Sequence, residues 1–155
     1  MALNYVDVGY AVVAETTTPM TTVGVKASTH IACRVMEAMQ TFDGATSTAV
    51  PGKIELCENT FAGSAPGTNS TAITVANGRR DIVRDSPQFT AAYTWTSEPT
   101  VIIVLRTYNL PQYNGSYHYI NPMVAPYIID GAGGFSVRIT ASANVNSSGH
   151  LLVEE

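Results

Sequence analysis

The side chains able to carry chemistry are few and widely spaced. The histidines His30, His118 and His150 share no H-x-H or H-E-x-x-H pattern, and Cys33 and Cys57 form no C-x-x-C pair. Short spacings of that kind are how a sequence announces a metal site or a nucleophile with its base, and none is present. Glu37, Asp43, Glu55 and Glu58 would make an acid/base pair only if folding drew two of them together. "FAGSAPG" departs from the G-x-S-x-G nucleophile elbow. "GAGGFS" has Ser136 where a dinucleotide fingerprint needs its last glycine, so both stretches read as turns. A hydrolase would require His118 or His30 to meet a carboxylate in a pocket. The expectation is that the chain is not an enzyme, with no catalytic residues, no cofactor and no metal.

Binding chemistry is better represented. Between Arg106 and Asp130 runs "RTYNLPQYNGSYHYINPMVAPYIID", which holds five of the eight tyrosines, Tyr108, Tyr113, Tyr117, Tyr119 and Tyr127. Around them stand Asn109, Gln112, Asn114, His118 and Asn121, a mixture of flat amphipathic rings and adaptable amides. Such surfaces suit a protein partner, for which tyrosine supplies rigid contact area. They also suit a sugar, whose apolar face stacks on a ring. The plainer alternative is that the rings seal one end of the fold. Pro111, Pro122 and Pro126 disfavour a helix here and predict an extended, irregular excursion.

The elements that must position these residues are predicted to be strands. Only 13% of the 155 residues are charged, about half the usual share, and Thr, Ser and Asn carry much of the polarity. A surface so poor in charge fits one covered by copies of itself or by a partner, and equally a sandwich with a Thr-rich skin. The net charge of −4, with Arg79, Arg80 and Arg84 interleaved with Asp81 and Asp85, argues against a nucleic-acid partner. No stretch reaches the roughly 18 apolar residues of a membrane span, and the N-terminus lacks a signal peptide's basic region, so no membrane partner is expected. That pattern predicts synthesis in a cytoplasm. The sequons at Asn69, Asn114 and Asn146 then carry no meaning. Cys33 and Cys57 sit in apolar runs and read as reduced core residues rather than a disulfide.

Along the chain, Val6 to Val12 alternates as a first strand. Residues 29–40 fit strand or helix, and strand is preferred because Asp43-Gly44 is a turn pair with "KIELC" as the returning partner. Residues 59–81 predict a long loop with a small strand at Ile73 to Val75. The five apolar residues Val101 to Leu105 predict a strand covered on both faces, at the centre of a sheet. Phe135 to Val145 alternates with period two, Asn146 to Gly149 supplies a turn, and His150 to Val153 returns as the last strand of a hairpin. The class is all-β: residues 1–155 as one antiparallel β-sandwich, jelly-roll-like, with a long Tyr/Pro-rich excursion.

"MQTFDGATSTAVPGKIEL" together with the later "GAGGFSVRITASANV" resembles small structural proteins of tailed bacteriophages, in which a Phe-Asp-Gly turn is followed much later by a strand after a Gly-rich turn. The matching positions are Phe42, Asp43 and Gly44, then Gly131 to Ile139. The resemblance implies a virion protein, commonly a trimeric decoration or cement protein on the capsid surface, made in the bacterial host and bound to the major capsid protein. The interface expected from the residues is Ala2, Leu3, Tyr5, Tyr108, Tyr113, Tyr117, His118, Tyr119 and Tyr127. A carbohydrate-binding module of a phage tail, holding a glycan on the same rings, is the alternative.

Overall fold

The structure is a computed structural model that describes residues 3–7, 13–44, 50–77, 87–120 and 127–155. Among these residues there is no helix, and two antiparallel sheets pack together as a β-sandwich. The first sheet is built around two long strands, β4 (Cys33–Phe42) and β13 (Val145–Glu154). On the far side of β13 lie β1 (Leu3–Asp7) and β2 (Val13–Glu15), and β7 (Ala76–Asn77) extends the sheet from β1. On the far side of β4, β10 (Ser116–Ile120) and β11 (Tyr127–Ile129) follow one another along the same edge. The second sheet runs β6 (Ser70–Ile73), β8 (Thr90–Trp95), β3 (Met20–Lys26), β12 (Gly134–Thr140), β5 (Gly52–Thr60) and β9 (Thr100–Leu110).

The inner faces follow the period of two. Val23 and Val25, Val35, Ile54 and Leu56, Val137 and Ile139, and Leu151 and Val153 are all at most 1% exposed and fill the space between the sheets. One polar bridge crosses this core. Gln40 Nε2 donates to Thr22 Oγ1 at 3.0 Å, and Thr22 Oγ1 donates to the Val137 carbonyl at 3.1 Å. Cys33 and Cys57 are buried, free thiols, and burial first of all pushes them up to about 12 and about 11.

Of residues 29–40, Cys33 onward resolves as strand, the start of β4, while 29–32 precede it; several other expectations change. Asp43-Gly44 does not lead back into a partner strand, because β4 belongs to the first sheet and β5 to the second. The final hairpin is likewise absent. The chain turns at residues 141–144 and changes sheet, so residues 146–149 are strand rather than turn. Gln112 Nε2 donates to Ser142 Oγ at 2.7 Å, which donates to the Val50 carbonyl at 2.8 Å and ties the crossing down. Val101 to Leu105 is not central. β9 ends its sheet, with register shifts opposite Leu56/Cys57 and Glu58/Asn59. Bulges break the alternation there, so the consecutive residues Ile103 and Val104 are both exposed. The Tyr/Pro-rich excursion contains the end of β9 and the regular strands β10 and β11. The small strand expected at 73–75 is β6, three residues earlier at its start. Residues 8–12 and 78–86, the latter with the arginine cluster, lie outside the described residues.

The outward face of the second sheet holds an ionic cluster. Glu55, 6% exposed, accepts on Oε2 from Arg138 Nη2 at 2.7 Å and Nε at 2.9 Å, and its Oε1 lies 2.9 Å from Lys53 Nζ. Burial pushes the carboxyl up, but the hydrogen bonds and charges of Lys53 and Arg138 outweigh it, leaving the pKa below its ordinary 4.5. A folded-state pKa below the unfolded one stabilises above the unfolded value, and that contribution disappears as pH falls through and below it. Melting temperature is therefore expected to drop as pH falls below about 4.5, with a shallower fall in Glu55→Gln. Parallel curves for the two proteins would assign the acid sensitivity to other groups.

Candidate functional site

The tyrosines singled out by the sequence do come together, but they face inward. In β10 the alternation turns Tyr117 and Tyr119 toward the second sheet and leaves Ser116, His118 and Ile120 exposed. Ring centroids run Tyr108 to Tyr117 at 4.3 Å, Tyr117 to Tyr119 at 6.4 Å, Tyr119 to Tyr127 at 6.0 Å and Tyr127 to Phe135 at 5.7 Å. This ladder joins β9, β10 and β11 to β12 and closes the side of the sandwich where the two sheet edges meet. Burial, with the Tyr108 hydroxyl beside it, holds the Tyr117 phenol neutral well beyond the usual range. Tyr127 is pushed up to about 12 by burial and by the Tyr119 hydroxyl, against the pull of Arg106.

Of the tyrosines expected at an interface, Tyr117, Tyr119 and Tyr127 are half-buried with a ring neighbour on either side, and Tyr108, also half-buried, ends the ladder against Tyr117 alone. Tyr113 is 48% exposed, in the turn after β9 where it bridges to Gly44, and His118 is exposed. Leu3 and Tyr5 lie in β1, opposite Glu154 and Leu152 of β13, while Ala2 is outside the described residues.

What the outside of this edge presents is aliphatic. Ile120 and Ile128 are each 62% exposed, on β10 and β11. Across the seam Ile103 and Val104 are 51% and 43% exposed on β9. A shallow cleft lined by Glu58, Leu105, Tyr127, Ile128 and Phe135 joins the two sides, and Glu58 pairs with Ile103. Sequence reasoning missed Ile103 and Val104 because it placed Val101 to Leu105 in the interior.

A second constellation lies on the outer face of the first sheet. His118 of β10 and His150 of β13 both stand opposite Met39 of β4, so the three residues form one cross-strand row. Glu37 stands one row along, where the β4–β13 register shifts at Leu152/Val153. His118 Nε2 lies 3.1 Å from Glu37 Oε2, and the two imidazoles meet edge to face at 6.3 Å. Thus a histidine does meet a carboxylate, although on an open sheet face rather than in a pocket. The other carboxylates do not converge. Asp43 accepts from the Asn146 backbone and side-chain amides, each at 3.1 Å, and Glu55 serves Arg138 and Lys53. No protein-family model matches this chain, and neither curated proteins nor solved structures yield a match.

Proposed function

We propose that the chain is a structural virion protein that works by surface contact: a jelly-roll-like decoration protein of a tailed-phage capsid, binding copies of itself as a trimer and bridging the major capsid protein. The observation that supports this reading is the aliphatic rim of Ile103, Val104, Ile120 and Ile128, exposed on strands whose inward rings already hold the edge rigid. Exposed aliphatic side chains on a surface poor in charge match the composition of an interface core. Tyr113 and His118 border it in sequence. The rings a glycan would need are stacked on one another, which favours a protein partner.

The test is solution mass of the purified chain, followed by co-pelleting with empty capsids of the same source. Wild type is expected to self-associate and pellet saturably. Ile120→Ser with Ile128→Ser is expected to lose about 2 kcal/mol or more of association, roughly thirtyfold in affinity, with its melting temperature unchanged. A wild-type monomer that ignores capsids would end this reading.

A further inference from the structure

We propose that Glu37, His118 and His150 form a binding site for a divalent transition metal of the zinc class on the outer face of the first sheet. Each residue offers one ligand atom, and the three atoms all lie within 4.8 Å of one another. They come from three adjacent, hydrogen-bonded strands, β10, β4 and β13, so their backbones are held by the sheet and not by a loop. Neighbouring strands are about 4.8 Å apart, which puts the two histidine backbones about twice that distance from each other. Their rings nevertheless lean together over Met39.

Two imidazoles and a carboxylate match the donor set of three-ligand zinc sites, whereas calcium and magnesium require oxygen cages. With metal bonds near 2.0–2.2 Å, tetrahedral ligand atoms sit about 3.3 Å apart. The side chains therefore need to close by roughly an ångström, a small change for rings that are part-exposed. At 3.1 Å the His118 Nε2–H donates to Glu37 Oε2; a metal would displace that proton and take the Nε2 lone pair, with the imidazole proton carried on Nδ1 instead. The carboxylate offsets half of the ion's charge. A remaining coordination position faces solvent and is open to water or to a donor from another molecule.

The experiment uses the untagged, metal-stripped chain titrated with Zn²⁺ by calorimetry and with Co²⁺ by visible absorption, beside a Mg²⁺ control. One zinc per chain is expected, with a dissociation constant of roughly micromolar order, weaker than a closed four-ligand site. His150→Ala and Glu37→Gln are expected to weaken binding by about tenfold or more, while His30→Ala binds like wild type. Circular dichroism of the metal-free variants keeps loss of a ligand distinct from loss of fold. Absence of saturable zinc uptake, or uptake that His150→Ala leaves unchanged, overturns the proposal. The outcome does not depend on capsid binding.

Discussion

Gly149→Ala is expected to destabilise the fold by about 3 kcal/mol or more, because overpacking here meets main chain and cannot be relieved by a side-chain rotation alone. A Cβ at Gly149 would come 2.2 Å from the Met39 carbonyl oxygen on the neighbouring strand and would also overlap the Gln40 carboxamide. Both obstacles matter. Met39 lies on the ladder that joins β13 to β4, and Gln40 carries the polar bridge across the core. Moving either would break a buried hydrogen bond or open the centre of the first sheet. Gly63→Ala is the control, since it has positive φ and nothing within 4 Å of its Cβ, and is expected to cost only about 1–2 kcal/mol. Urea unfolding of the three proteins measures the difference through the midpoint at constant slope. A Gly149→Ala midpoint equal to that of Gly63→Ala would show that β4 and β13 separate more easily than their register implies.

The second large effect is expected from Tyr117→Ala, about 3 kcal/mol of stability. The ring is the second rung of a ladder and touches rungs on either side, at Tyr108 and Tyr119. Its removal would leave a gap between the edges of the two sheets. Tyr117→Phe keeps the rung and is expected to stay within about 1 kcal/mol of wild type. Thermal unfolding of both variants decides the matter. An unperturbed Tyr117→Ala would mean that the edge is held without the ladder, and would return this ring to the pool of candidate contact residues.

Strands were legible where apolar and polar residues alternate strictly, as in β12, because period two survives in the residue types even where both faces are covered. Partners were not legible. Asp43-Gly44 and Asn146 to Gly149 look like hairpin turns because turn residues are read locally, yet Asp43 caps the Asn146 amide and Gly149 is small to let a strand pass. The bulges of β9 are a property of two strands together, so a run of five apolar residues was taken for an interior strand. The tyrosines are grouped by their nearness in sequence, but which way their rings face depends on the strand they occupy and was not legible. His118 sits between Tyr117 and Tyr119, and period two puts it outside once they are inside. Its meeting with Glu37 and His150 depends on two pairings and one register shift, none of which leaves a mark in the spacing 37, 118, 150.

The order in which the polypeptide emerges from the ribosome gives the strand arrangement a further meaning. β12 separates β3 from β5, and β13 separates β4 from β1 and β2, so the seam of each sheet is supplied by a strand made after all of its partners. Before residue 134 is synthesised, the strands already made have bare edges along both seams and no route to the native core. Thr41 waits for Ser148, 107 residues later. Such non-local closure makes folding slow and all-or-none, and it exposes strand edges to other chains in the interval. A cell that makes many copies at once would therefore need to shield these chains until β13 is complete, and a stop codon anywhere before β12 would release a product prone to aggregate.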